Sequence, residues 1–389
     1  MSSSRLKSID ILRALTMLLM IFVNDLWSLS DIPAWLEHKG AHEDGMGLAD
    51  VVFPAFLLIV GLSIPHAIGA RLKRGDSTYQ VFIHILERSL ALLTMGIFMV
   101  NLENIDGESL LFSRYIWQIL MTLAFFLIWN LYRGPVFGRF SPWILKGLGW
   151  AMLIFLAIIY KGAGEGDYHW MRFHWWGILG LIGWGYLLGA LVYLWLGNKP
   201  AWIAGALLIL FLLNINEFTT PLPFTIKLVV SASNHALVLC GVWVTVAMIR
   251  LQKLDKGWLL VPFLLVFAAI LMAFGYLSRP VWGISKILAT PSWTAICAGI
   301  TVLGFTGMHL LADRLGWHRW ADIIEPAGSM TLTCYLVPYY VYAFRALSGF
   351  TLPEAWTTGG AGILKSLLFA LLIIQLTRLL GKWKIKLKI

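Results

Sequence analysis

Residues 48–68, LADVVFPAFLLIVGLSIPHAI, decide the fold. The only formal charge in this run is Asp50, near its start. A helix rises about 1.5 Å per residue, so a run of this length crosses the roughly 30 Å apolar core of a bilayer. Apolar blocks of about 18 to 22 residues recur along the whole chain, the length such a crossing needs. The 389 residues are 59% hydrophobic and 13% charged, with a mean hydropathy of +0.78. A water-soluble domain carries about twice that share of charge. The fold class read from this pattern is all-α, a polytopic membrane helical bundle of about twelve transmembrane helices. The predicted spans are 9–29, 48–68, 80–101, 114–131, 143–161, 175–196, 201–215, 228–249, 258–278, 293–312, 326–347 and 363–380, the seventh being the shortest.

Charge between the spans sets their direction. Arg5 and Lys7 precede the first span, and the loop GARLKRGD carries Arg71, Lys73 and Arg74. Later alternate loops carry Arg133 and Arg139, then Lys199, then Arg250, Lys253 and Lys256, then Arg314 and Arg319. The tail GKWKIKLKI adds Lys382, Lys384, Lys386 and Lys388. The opposite loops, such as NLENIDGES and GAGEGDYHW, are richer in acids. Cytoplasmic loops favour Lys and Arg, so both termini are expected in the cytoplasm. The net charge of +10 then reads as a topology signal and not as a nucleic-acid footprint. The first span is too long for a signal-peptide core and has no small-residue cleavage site after it, so it is expected to be retained. No soluble domain, linker or internal repeat stands out, and residues 1–389 read as a single transmembrane domain. The 20 Trp suit interfacial anchoring as well as packing. Cys240, Cys297 and Cys334 lie inside apolar runs without metal-ligand spacing, so neither disulfides nor a metal are indicated.

The titratable chemistry gathers between the first two spans, in PAWLEHKGAHEDGMGLADVVFP, residues 33–54. It offers His38, His42, Glu37, Glu43, Asp44 and Asp50, and by the charge argument it faces away from the cytoplasm. A histidine takes a proton or acts as a nucleophile near neutral pH. A carboxylate orients its ring, and an amide such as Asn24, at the end of the first span beside Asp25, holds a developing oxyanion. The plainer readings stand beside this one. Asp50 also fits a cap of the second helix, and His42 beside Glu43 and Asp44 fits a solvated loop. Asp10 and Arg13 pair one turn apart in the first span. His84, Glu87, Arg88, Gln118 and His235 sit in or beside spans, where ionisable groups are costly. Glu87 and Arg88 also fit a structural pair, and His235 a satisfied interfacial group. RPVWGISKILATPSWT, residues 279–294, brings Arg279, Ser285 and Lys286, the lysine suited to an anionic ligand or to snorkelling. In EPAGSMTLTCYLVPYY, residues 325–340, small residues allow close helix packing or passage of a narrow ligand arm. No Walker loop, dinucleotide-binding glycine motif, HExxH or GxSxG is present.

RLKSIDILRALTMLLMIFVND, the histidine-bearing loop and DGMGLADVVFPAFLLIVGLSIP together resemble the heparan-alpha-glucosaminide N-acetyltransferase family and its bacterial relatives, within a wider group of transmembrane acyltransferases. The resemblance rests on Arg5, Ser8, Asp10 and Arg13, on Phe22, Val23 and Asn24, and on Ala49 to Pro54 with Gly61. Towards the C-terminus, ISKILATPSW and EPAGSMTLTCYLV are similar to family segments, while the middle matches weakly. The resemblance implies an integral enzyme of the bacterial inner membrane. It would take the acetyl group of cytoplasmic acetyl-CoA, with no metal, to an amino sugar such as glucosamine on the other side. Membrane lipids surround it and a homodimer is implied. It makes a loop histidine catalytic, with Asn24 beside it; Asp50 would then orient or charge-balance that histidine. His38 lies somewhat farther from Asp50 than the family histidine does and His42 somewhat nearer. His38 is favoured because it follows the aromatic WLE, and His42 stays as the alternative. The implied donor-binding residues are Arg13, Gln118, Ser285 and Lys286. The fourth span keeps its Gln without the family's following Arg, and the acceptor does not carry over. The competing class is a transporter or flippase for a sugar or lipid-linked glycan. Inverted repeats or broken helices in matching halves would mark it.

Overall fold

The computed structural model describes residues 6–107, 109–132, 141–163, 169–219 and 227–389. Among them the architecture is helical, with no strand beyond isolated bridges. The helices are α1 (Lys7–Asp25), α2 (Leu48–Lys73), α3 (Thr78–Glu103), α4 (Arg114–Trp129), α5 (Pro142–Ile158), α6 (Ile178–Leu196), α7 (Pro200–Asn216), α8 (Ala232–Lys253), α9 (Leu260–Trp282), α10 (Pro291–Met308), the short α11 (Glu325–Ser329), α12 (Thr331–Ser348) and α13 (Gly359–Lys382). Each apolar run read from the sequence falls on one of these helices. Seven of the described helices are long and apolar enough to cross a membrane, and α4, α5 and α7 are shorter apolar helices. Arg5, Arg133 and Arg139, like Glu108, Glu165 and Asp167 of the acidic loops, lie outside the described residues.

The chain divides into two compact units. The first comprises Met1–Thr16, Pro33–Leu92 and Leu181–Asp322. Its centre is the crossing of α2 and α8, where backbone meets backbone. A Cβ built at Gly61 would overlap the carbonyl oxygen of Val238, and one at Gly241 would overlap that of Leu58. Apolar helices in a bilayer gain little from hydrophobic burial against each other, so close approach through small residues supplies the attraction. Helix α10 packs on α9 and α2. It starts at Thr290, whose hydroxyl accepts from Trp293 N, with Pro291 in the first turn. Asn214 of α7 donates to the Ala289 carbonyl at 3.0 Å, and Ser233 and Thr294 join α8 to α10 at 2.6 Å. Arg13 pairs with Asp10 at 3.3 Å, as the spacing predicts, and also donates to Ser63 at 2.6 Å.

The second unit comprises Met17–Ile32, Leu93–Gly180 and Ile323–Ile389. Here α4 packs on α5 and α12, and α12 on α13. The indole of Trp117 donates to the Leu156 carbonyl at 3.2 Å, and the Gln118 amide donates to the Tyr339 carbonyl at 2.7 Å. The last residues return to the helices, with Leu387 N donating to the Thr333 hydroxyl at 3.0 Å. All three cysteines are buried and free, Cys240 and Cys297 in the first unit and Cys334 in the second.

Candidate functional site

The site is built where the segment before α2 folds over that helix's own N-terminus. The first N–H groups of a helix have no partner within it. Here Leu48 N donates to the Trp35 carbonyl at 2.7 Å and Ala49 N to the Leu36 carbonyl at 3.3 Å. Gly47 makes this possible, because a Cβ there would overlap the Glu37 carbonyl oxygen. Asp50, in the first turn of α2, then turns its carboxylate back onto the segment. It accepts from Gly47 N and from Lys39 N, both at 3.0 Å. The capping reading of Asp50 therefore holds, and it leaves one carboxylate oxygen for a second role.

That oxygen, Oδ1, lies 2.7 Å from Nδ1 of His38. Asp50 is 1% exposed and the His38 side chain 50% exposed. An ionised carboxylate only accepts, so Nδ1 is the donor in this pair, and a ring that carries one proton has its lone pair on Nε2. Lys286 reaches the same place from the loop between α9 and α10, with Nζ 3.1 Å from His38 Nδ1 and 3.9 Å from Asp50 Oδ1. Burial draws the Lys286 ammonium below the usual lysine range, against the opposing pull of the Asp50 carboxylate. From behind, the Trp293 indole donates to the Asp50 carbonyl at 3.1 Å, fixing the first turn of α2 on α10.

The two loops that carry His38 and Lys286 are interlocked. Gly45 N donates to the Ile284 carbonyl at 3.0 Å, and Ile284 N returns a bond to Asp44 Oδ1 at 2.8 Å. Arg279 donates to the other Asp44 oxygen at 2.9 Å, and Ser285 Oγ donates to the Ala41 carbonyl at 2.8 Å. The Arg279 hydrogen bond holds the Asp44 carboxyl below its usual range. The Lys286 loop is fixed in turn by Thr290, whose hydroxyl accepts from Ser285 N at 3.1 Å. Asn214 secures Ala289, which adopts the left-handed backbone at φ +56°.

Among the expected residues, the structure brings together His38, Asp50 and Lys286, with Ser285 in the adjoining turn. His42 is exposed in the loop. Asn24 lies in the second unit, exposed on the last turn of α1. Arg13 and Gln118 serve helix–helix bonds, as described above. Arg88 lies over the Tyr186 ring, 4.7 Å from its centroid, while Glu87 is exposed. His235 is buried, with Nδ1 3.1 Å from the Ser231 carbonyl, the satisfied form. The sequence reading missed the clamp made by Asp44 and the close approach at Gly47. It also missed a buried network in the second unit, where Asp25 accepts from Lys365 and Ser366, each at 2.7 Å, and from Tyr342 at 2.9 Å. A lysine and an aspartate inside apolar runs are costly unless paired, and that signal was present in the sequence.

Residues 5–171 match the family model "Heparan-alpha-glucosaminide N-acetyltransferase, catalytic". This bears out the resemblance read from the N-terminal block. The matched stretch contains His38, Asp50 and Asn24, while Ser285 and Lys286 follow it. The human heparan-alpha-glucosaminide N-acetyltransferase is 37% identical over 97 residues, 25% of this chain and 14% of that protein. The mouse protein of the same name is 35% identical over 100 residues, 26% of this chain and 14% of its own length. The chain thus aligns with about one seventh of the length of these relatives. Both relatives carry the name of an acetyltransferase acting on a glucosaminide, and the long apolar helices fit an integral membrane protein.

Proposed function

We propose that the chain is an integral membrane N-acetyltransferase of a bacterial inner membrane. It would move the acetyl group of cytoplasmic acetyl-CoA to a glucosamine-like amino sugar on the other side. The observation that carries this reading is the half-open His38, held at 2.7 Å by a carboxylate that is 1% exposed, inside the stretch that matches the family. In this reading about twelve helices cross the bilayer and both termini are cytoplasmic. The crossing gives the reaction its logic, because the thioester is made on one side and the glycan lies on the other.

In the reaction, Nε2 of His38 either takes the acetyl group as a nucleophile or removes a proton from the acceptor amine. Asp50 keeps the tautomer that leaves Nε2 free, and it balances the imidazolium that forms. Asn24 enters from the resemblance as the amide that donates to the thioester oxygen as negative charge develops there. Ser285 and Lys286 are assigned to the donor end of the site. Arg13 and Gln118 are carried over from the resemblance as donor-binding residues.

Purified protein in detergent, given acetyl-CoA with a labelled acetyl group, tests the proposal. Wild type is expected to release CoA only when glucosamine or a related amine is added. His38→Ala is expected to slow that release by about 100- to 10,000-fold, the usual worth of a positioned acid–base group, with His42→Ala close to wild type. Loss in His42→Ala alone would keep the enzyme and move its centre. Protein that neither binds acetyl-CoA nor releases CoA with any amine would sink the reading.

A further inference from the structure

The acceptor in the proposed reaction is a primary amine, and the site already contains one. Lys286 Nζ lies 3.1 Å from Nδ1 of His38, the ring nitrogen that faces Asp50, and 3.9 Å from Asp50 Oδ1. It is not a freely moving surface lysine. Its loop is tied to the His38 loop through Ser285 and Ile284, and it is closed from below by Thr290 and Asn214. Its neighbours are the carboxylate of Asp50 and the ring of His38. An amine attacks a thioester only through its neutral form, and burial favours that form here.

We propose that Lys286 is a site of self-acetylation, at which the protein transfers the acetyl group of acetyl-CoA onto its own lysine when no external amine occupies the site. This rests on the acetyltransferase reading above. In the step, Lys286 Nζ bonds to the acetyl carbon and the carbon–sulfur bond of the thioester, or the carbon–nitrogen bond of an acetylated His38, breaks. From the thioester, the His38 ring takes the amine proton and returns it to the departing sulfur, which leaves as CoA thiol; from an acetylated His38, whose CoA left when the acetyl group was loaded, the amine proton ends on the released imidazole nitrogen. The product is an uncharged amide. It removes the positive charge beside Asp50 and His38 and places an acetyl group where the acceptor would approach. The modification would therefore act as a brake that engages when acceptor is scarce.

The full-length protein in detergent is incubated with trideuteroacetyl-CoA, with and without glucosamine, and its peptides are mapped by mass. The label is expected on Lys286, faster than on the exposed Lys253, and slowed when glucosamine is present. In His38→Ala the Lys286 label is expected to form about 100-fold more slowly, while labelling of Lys253 is unchanged. Lys286→Arg removes the labelled peptide and keeps a cation in place. A second, independent readout is acceptor-driven CoA release after preincubation with acetyl-CoA alone, taken for each protein relative to its own rate before preincubation, which is expected to decline in wild type and not in Lys286→Arg, whatever the variant's starting rate. Acceptor-driven CoA release with Lys286 unlabelled would overturn the inference and leave the acetyltransferase standing. Label on Lys286 at the Lys253 rate, indifferent to His38→Ala, would overturn it as plain solution chemistry. Absence of both acetyl-CoA binding and CoA release would remove it together with the reading on which it rests.

Discussion

Two buried aspartates, one in each unit, are met by a lysine and end in different states. Asp25 is 2% exposed and is closed on every side that matters, with Lys365, Ser366 and Tyr342 all within 2.9 Å. The Lys365 side chain is itself only 13% exposed, and its ammonium also donates to Ser28 at 2.9 Å. Asp50 is equally buried, but its lysine stands off at 3.9 Å and a half-exposed histidine takes the near position. The first arrangement is saturated and holds the end of α1 to α12 and α13. The second passes the carboxylate's influence to a ring nitrogen that faces no fixed partner among the described residues. Burial alone does not tell the two carboxylates apart. What separates them is whether the last donor is closed off or left open.

The comparison breaks first on stability. Asp25→Ala leaves the Lys365 charge buried without its partner, which costs about 3–5 kcal/mol. A large drop in melting temperature is expected, partly recovered by adding Lys365→Met. An unchanged melting temperature would show that Asp25 does not hold its unit together. Asp50→Asn is the counterpart. The amide still accepts from Gly47 N and Lys39 N, so the melting temperature is expected to move little. It no longer fixes the His38 tautomer, and acceptor-driven CoA release is expected to fall about 100-fold. If Asp50→Asn melts like Asp25→Ala and keeps its rate, the two aspartates are alike and the distinction fails.

Gly47→Ala sharpens the open side. The new methyl strikes the Glu37 carbonyl, so the segment must lift, at about 1–3 kcal/mol. CoA release is expected to fall more than stability does, because the lifted segment carries His38. The smallest effect is at the clamp. Asp44 and Arg279 are about half exposed, and solvent screening limits such a pair to about 0.2–1 kcal/mol. Asp44→Asn is therefore expected to shift melting slightly. The sign with pH follows from its lowered carboxyl. The folded state binds fewer protons there than the unfolded chain, so the clamp is fully present above the usual carboxylate range. Its contribution is lost as pH falls through the lowered value. Wild type and Asp44→Asn should then differ at neutral pH and converge in strong acid, which melting curves across pH would check.

Much of the helical pattern was legible from hydropathy, because a helix in lipid must be long and apolar over its whole length. The Asp10–Arg13 pair was legible too, since i, i+3 geometry is local. The contact between His38 and Asp50 was less so, although His38 was favoured from the aromatic WLE before it. It turns on how residues 35–39 wrap the N-terminus of α2, and that path depends on a carbonyl oxygen meeting Gly47. Lys286 was singled out as a cation near a ligand, but its approach to His38 spans 248 positions and rests on the Asp44 clamp. The Asp25 network was missed for the same reason. Asp25 was noted beside Asn24, but Lys365 is 340 positions away and no local rule pairs them.

The crossing of α2 and α8 has a consequence for how this protein can vary. At most helix contacts a larger residue on one side is accommodated by a smaller one opposite. At Gly61 and Gly241 the atoms that a new side chain would strike are the carbonyl oxygens of Val238 and Leu58. Every amino acid carries that oxygen, so no substitution across the crossing makes room. Any route of sequence change that leaves glycine at either position must first pull the two helices apart, and α2 carries Asp50 with it. The pair is a fixed point around which the remaining surfaces of the first unit are free to diversify.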